Sequence, residues 1–181
     1  RLLLATGSNP FFLPVPGRDL QGVIAYRDIA DTQAMIDASA RYRHAVVIGG
    51  GLLGLEAAYG LKRRGMDVTV VHIAPWLMER QLDEVAGAML QKALEERGLR
   101  FRLQAQTQAL IGGPDGRVTA VQFQDGSQVP ADLVVMAAGI RPNTELAERM
   151  GLLCQRGIVV TDTMQTVTDP RVYAVGECAS H

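Results

Sequence analysis

The chain has 181 residues, a formal net charge of −1 and 48% apolar side chains. That length suits one or two small domains with a real core, and the near-neutral balance argues against nucleic acid as a partner. No apolar run approaches the roughly 20 residues needed to cross a bilayer, no secretory leader is visible, and Cys154 and Cys178 form no Cys-x-x-Cys pair, a usage that suits a reduced, cytoplasmic setting.

In chain order, Arg1-Leu2-Leu3-Leu4 reads as a short apolar strand and Ala5-Thr6-Gly7-Ser8-Asn9-Pro10 as the turn leaving it. Pro10, Pro14, Pro16 and Gly17 predict an extended linker. Asp28 to Ala40 reads as a helix with Ile29, Met35 and Ile36 as its apolar positions. Ala45-Val46-Val47-Ile48 is an apolar strand that runs directly into Gly49-Gly50-Gly51-Leu52-Leu53-Gly54, a Gly-x-Gly-x-x-Gly turn. An amphipathic helix follows, with Leu52, Leu53, Leu55, Ala57, Ala58 and Leu61 apolar, and Lys62-Arg63-Arg64 and Gly65 at its end. Met66 to His72 reads as a buried parallel strand.

Further on, Asp83 is a good N-cap for a helix whose predicted face is Val85, Ala86, Met89, Leu90, Ala93 and Leu94, with Gly98 as its stop. Leu99 to Leu103 is a third parallel strand. Thr107–Ile111, Val118–Gln124 and Gln128-Val129 then form short strands joined by Gly- and Asp-rich turns, an antiparallel meander. Leu133 to Gly139 returns as a buried strand, and Val172 to Glu177 is a strand with a tight turn.

The strand–glycine turn–helix unit is the arrangement a dinucleotide pyrophosphate needs. Gly49 and Gly51 allow the backbone to come close. The N–H groups at Leu52 and Leu53 open a helix whose dipole carries roughly half a positive charge, and Gly54 permits tight packing of helix on strand. The tip of the second strand normally carries Asp or Glu for the adenosine ribose, but here it is His72. A neutral imidazole can accept one hydrogen bond, where a carboxylate offers charge-assisted ones worth roughly 1.5–3 kcal/mol each. His72 also removes a negative charge that would repel a 2′-phosphate, and Arg80, ahead of Arg63 and Arg64, is the candidate partner for one. The alternative is that these arginines are solvated surface charges, so the choice between NADH and NADPH stays open.

Four motifs, in order, resemble the pyridine nucleotide–disulfide oxidoreductase family: Ala5-Thr6-Gly7, Gly49 to Glu56, Gly139-Ile140-Arg141-Pro142-Asn143, and Val172 to Glu177. In detail the chain is similar to the flavoprotein part of assimilatory NAD(P)H nitrite reductase large subunits. The resemblance implies an α/β fold, a Rossmann-like three-layer NAD(P)-binding domain with an antiparallel β-meander, flanked by remnants of an FAD-binding domain. The implied division is residues 1–42 (FAD-domain remnant and linker helix), 43–144 (NAD(P)H domain) and 145–181 (FAD-domain remnant), with the last two of the four motifs assigned one to each domain.

By the same resemblance, Thr6 and Gly7 belong to the turn beside the flavin's dinucleotide. Gly176 meets the FAD pyrophosphate, and Glu177, where most relatives carry Asp, accepts a ribityl hydroxyl. Gly139 lets the nicotinamide approach, and Glu56 is the acid near the nicotinamide, the one candidate catalytic residue. Cys154 and Cys178 are read as structural.

The expected cofactors are NAD(P)H and FAD, and no metal is expected. The expected partners are the other half of the FAD domain and downstream siroheme and iron–sulfur domains, with a homodimer of the parent as a further expectation. Apolar faces at residues 1–40 and 145–181 are expected to stand exposed. The competing readings are another flavoprotein reductase (rubredoxin reductase, NADH oxidase or coenzyme A–disulfide reductase) and a non-catalytic NAD-sensing module.

Overall fold

The computed structural model describes residues 1–181. The chain begins in one compact unit, crosses into a second over Phe11–Gly139, and returns to the first, which comprises Arg1–Pro10 and Ile140–His181. The crossings between these units lie at 10/11 and 139/140. The reason is local. After β1 (Leu2–Leu4) and β2 (Ser8–Pro10), the linker supplies a strand, β3 (Val23–Ala25), that pairs in parallel with Val134–Met136 of the larger unit's sheet. At the other end, Ile140–Pro142 pairs antiparallel with Ser8–Pro10, so the Gly139–Asn143 motif straddles the crossing between the two units.

The larger unit continues with α1 (Ile29–Ser39), β4 (His44–Ile48), α2 (Leu52–Arg63), β5 (Asp67–Val71), α3 (Glu84–Glu95), β6 (Arg100–Arg102), β7 (Thr107–Gly112), β8 (Val118–Phe123), β9 (Gln128–Pro130) and β10 (Leu133–Met136). Five strands form one parallel sheet in the order β3-β10-β4-β5-β6, and β7-β8-β9 form the antiparallel meander. Alternation along β4 shows how the layers stack: Ala45 and Val47 enter the core beneath the helices, while Val46 and Ile48 enter the core beneath the meander. A strand buried on both faces needs apolar residues at every position. The result is three layers, helices, parallel sheet and meander, as the family resemblance implied.

Several local devices set these elements. Asp28 caps α1, its carboxylate accepting from the Asp31 N–H at 2.8 Å while Asp31 reaches back to the Asp28 N–H, a reciprocal capping box. Met35 and Ala38 face inward on α1, but Ile29 is 88% exposed, so it is not part of that helix's core face. Asp83 caps α3 through the Ala86 N–H at 2.8 Å, a contact of the kind worth about 1 kcal/mol.

The predicted α3 face is rotated. Val85 and Met89 are exposed, and Gly87, Leu90 and Leu94 turn toward the core. Gly87 sets this rotation, because its Cα sits against Trp76, where a Cβ would lie 2.8 Å from the indole Cδ1.

The amino end of β4 is pinned by Asp132, whose carboxylate accepts from the His44 N–H at 2.8 Å and the Arg43 N–H at 3.2 Å and also meets the His44 imidazole. Burial alone would raise this carboxyl, but the donors from His44 and Arg43 outweigh it and hold it below its ordinary value of 3.8.

The smaller unit adds β11 (Ile140–Pro142), α4 (Glu145–Arg149), β12 (Ile158–Val159), β13 (Val172–Ala174) and β14 (Ala179–Ser180). β1 pairs in parallel with β13 and β12 with β14. Leu4, Ala147, Leu152, Ile158, Val172, Ala174 and Cys178 make its core. Leu2, Leu3, Leu146, Leu153 and Val167 of this unit are exposed.

Candidate functional site

β4 and α2 meet at the carboxyl edge of the parallel sheet, and each glycine between them has its own reason. Gly49 has φ of +132°, and a Cβ there would lie 2.2 Å from the Ala137 carbonyl oxygen, so the segment that follows β10 admits only glycine there. Gly54 is needed for the close approach of helix to strand, because its Cβ would meet the Gly49 carbonyl oxygen at 2.0 Å. Gly51 differs: a Cβ there would meet nothing within 4 Å. It is the N-cap residue of α2 and offers no side chain to cap the helix. The amides of the first turn, at Leu52 and Leu53, therefore have no capping side chain, which is the arrangement that receives an anion. Lys62 and Arg63 in the last turn complement the opposite end of the dipole.

In front of this edge lies a cavity of about 490 Å³, a size typical of small-ligand clefts. Of the residues expected at the nucleotide site, Gly49, Gly51, Leu52, His72, Arg80 and Gly139 line it. Leu53 is exposed beside the helix start, Gly54 is buried beneath Gly49, and Glu56 stands exposed on α2 outside the lining.

His72 is where geometry departs most from expectation. The ring is buried, at 7% exposure. Its Nδ1 accepts the Gly50 N–H at 3.0 Å and its Nε2 lies 2.9 Å from Glu79 Oε2. An amide can only donate, so Nδ1 is the acceptor and the ring proton sits on Nε2, which donates to the carboxylate. No free acceptor remains for a ribose hydroxyl, and the reading of His72 as a direct ribose ligand gives way to one in which it braces the glycine turn. Gly50 fits only as glycine, since a Cβ would lie 2.7 Å from the imidazole Cγ.

The loop after β5 is locked to the same turn. The Met78 N–H donates to the Gly50 carbonyl at 3.0 Å, and Met78 itself holds φ of +54°, a left-handed conformation that a methionine adopts only when its surroundings demand it. The Trp76 indole N–H donates to the Leu82 carbonyl at 3.0 Å and closes the loop. Glu79, not singled out in the sequence, is thereby brought to the cleft. Its only sequence signal was its position beside Arg80, seven residues past the strand tip.

In the smaller unit, Ala5-Thr6-Gly7 follows β1 and Gly176-Glu177 follows β13, so the parallel pairing of those strands sets both turns at one edge. The Thr6 hydroxyl donates to the Asn143 carbonyl at 2.6 Å, and the Asn143 N–H donates to the Gly7 carbonyl at 2.9 Å. The Ser8 hydroxyl donates to Glu177 at 2.8 Å. Gly7 and Gly176 have φ of +65° and +77°, and neither Cβ would meet an atom within 4 Å. Glycines with a left-handed backbone and open space before them suit close approach of a ligand. Cys178 is buried, Cys154 is half-buried, and both are free thiols. No group of His, Cys, Asp and Glu side chains could hold a metal ion, and no helix is long and apolar enough to cross a membrane.

An uncapped helix start, an open N-cap glycine and a cleft at the carboxyl edge of a parallel sheet place the larger unit among the doubly wound α/β folds. The chain belongs to the pyridine nucleotide–disulphide oxidoreductase family, whose model matches residues 1–181. It is 58% identical over 180 residues to a nitrite reductase [NAD(P)H] of Bacillus subtilis (strain 168), covering 99% of this chain and 22% of that protein. An NADH oxidase of Methanocaldococcus jannaschii is 42% identical over 182 residues, with 98% of this chain and 39% of that one covered. Among solved structures, a ferredoxin reductase from Rhodopseudomonas palustris superposes with a TM-score of 0.94 at 33% identity, covering 98% of this chain and 44% of that one. The chain thus spans about a fifth of the nitrite reductase and less than half of the others.

Proposed function

We propose that this chain is the NAD(P)H-binding portion of a flavoprotein oxidoreductase that passes electrons from NAD(P)H through FAD, in the parent protein, toward reduction of nitrite to ammonium. The observation that carries the nucleotide part is the α2 N-terminus, with Gly51 open to the cleft and no capping side chain. The nitrite part is supported by the identity to nitrite reductase. When bound, NAD(P)H supplies a hydride and FAD accepts it.

The residues present fit both groups. Gly51, Leu52 and Leu53 would hold the pyrophosphate of NAD(P)H on backbone amides, with Gly139 beside the cleft admitting the nicotinamide end. Glu56, exposed on α2, is the candidate acid for that end in the intact flavoprotein. Thr6, Gly7, Gly176 and Glu177 would hold part of FAD, the rest being held by the other half of its domain. The chain alone is therefore expected to bind NAD(P)H weakly, retain little FAD and reduce nothing. Siroheme and iron–sulfur domains, and any dimer contact, belong to the parent.

The test uses the intact parent carrying Gly51→Glu, a carboxylate placed where the pyrophosphate would lie. Oxidation of NAD(P)H coupled to nitrite should fall at least a hundredfold, while nitrite reduction by a chemical electron donor stays unchanged. Unimpaired NAD(P)H oxidation would refute the cradle. A parent that oxidises NADH but never reduces nitrite would favour a second reading, a reductase serving another acceptor, which the identity to an NADH oxidase supports.

A further inference from the structure

A dinucleotide fold usually ends its second strand in a carboxylate that takes the adenosine ribose hydroxyls, about 20 residues past the first glycine. Position 72 has no carboxylate, and the imidazole there has no acceptor to spare. The cleft nevertheless has an acid at this edge. We propose that Glu79, held in place by His72, is the ribose-reading residue, and that it makes the site select the dinucleotide with a free 2′-hydroxyl over its 2′-phosphorylated form. The proposal rests on the reading of the cleft as an NAD(P)H site.

Three observations converge on it. Glu79 and His72 both line the cavity in front of the glycine turn. The bond to His72 Nε2 engages Oε2 of Glu79 and leaves Oε1 for a ligand, and the side chain is 33% exposed. Finally, the carboxylate is not a loose surface acid. It is tied to a buried ring, the ring is tied to the Gly50 amide, and the loop carrying it is tied to the Gly50 carbonyl through Met78. One residue of the glycine turn therefore fixes both the turn and the acid, so a pyrophosphate on the turn and a ribose at the acid are held in a set relation. A preorganised acceptor binds at lower entropic cost than a mobile one.

His72 is then a positioning residue, and Glu79 the group that touches the ligand. A fixed carboxylate accepts hydrogen bonds from ribose hydroxyls and repels a phosphate carrying up to two negative charges. Arg80 lines the same cavity and is the natural objection, since it would draw a 2′-phosphate. Arg80 is exposed and has no anchor like the imidazole beneath Glu79. The anchored carboxylate beside it offsets its pull on an incoming anion.

The experiment is calorimetric titration of the 181-residue chain with NADH and with NADPH, for wild type, Glu79→Gln and Arg80→Ala. Glutamine keeps the size of the side chain and an oxygen to accept from His72 Nε2, so the loop should keep its place. Wild type should favour NADH at least tenfold. In Glu79→Gln that ratio should shrink at least fivefold, by weaker NADH and stronger NADPH binding together. A merely structural role would weaken both dinucleotides alike, and an unchanged ratio would overturn the proposal. So would a wild type that prefers NADPH and loses that preference in Arg80→Ala, which would give the site to Arg80. A wild type silent to both dinucleotides at millimolar concentration removes the nucleotide reading itself, and the proposal with it.

Discussion

Replacing Gly54 by alanine sets two opposed effects against each other. In a helix interior alanine is better than glycine by about 1 kcal/mol. At this position, however, the new Cβ would stand 2.0 Å from the Gly49 carbonyl oxygen and 3.3 Å from the Ala137 Cβ. The first contact is with backbone, which cannot rotate away, so α2 must retreat from β4 by about 1 Å. Overpacking of this kind costs typically 1–3 kcal/mol and occasionally more, so the net change should be a loss of up to about 2 kcal/mol. At about 2–4 °C per kcal/mol for a chain of this size, Tm should drop by several degrees.

Gly60 is the internal control. It lies in the same helix, and a Cβ there would meet nothing within 4 Å. Gly60→Ala should therefore stabilise by up to about 1 kcal/mol. Urea unfolding followed by the fluorescence of Trp76, the single tryptophan, reads the larger unit directly. Opposite signs for the two substitutions are expected. A Gly54→Ala variant as stable as Gly60→Ala would refute the packing argument, and with it the reason given for the third glycine of the turn.

Asp132→Asn tests the pin at the start of β4. The carboxyl is held below 3.8 in the folded chain, so its stabilisation is full above that pH and is lost as pH falls through the lowered folded value. The variant should be less stable at pH 7 and show a shallower loss of stability as pH falls below about 4, measured by urea midpoints; an unchanged acid limb would count against the pin. Asp83→Ala should cost about 1 kcal/mol through loss of the α3 cap, seen as a lower urea midpoint from Trp76 fluorescence. For the thiols, burial and then Glu148 push Cys154 above its ordinary 9.0, and Cys178 is buried. Both should react with a thiol reagent at pH 7 far more slowly in the folded chain than in urea, and a fast-reacting thiol would contradict their structural role.

The parts of this fold that could be read in advance are those fixed by short-range chemistry. The apolar strand β4, the Asp83 cap and the glycine turn each depend on residues close in the chain, and each falls where the pattern placed it. The misread parts depend on contacts that periodicity does not encode. The α3 face turns because Gly87 rests on Trp76, so a run of aliphatics at Val85 and Met89 points outward. The linker strand Val23–Ala25 has only three residues, too few for a periodic signal, yet it pairs with β10 at the edge of the parallel sheet. His72 looked like the end of a strand facing a ligand. Its ring instead turns back to the Gly50 amide, and the acid at the cleft comes from a loop whose course is set by hydrogen bonds and by one left-handed methionine.

The central claim is that backbone amides at the start of α2 receive a dinucleotide pyrophosphate. It is tested most directly by recording amide NMR shifts of the isotopically labelled chain during titration with NADH. The account predicts saturable shifts at Gly51, Leu52 and Leu53, with further shifts at Gly139 and Glu79 along the same cleft. Saturable shifts confined to other parts of the chain, or none at millimolar NADH, would contradict it.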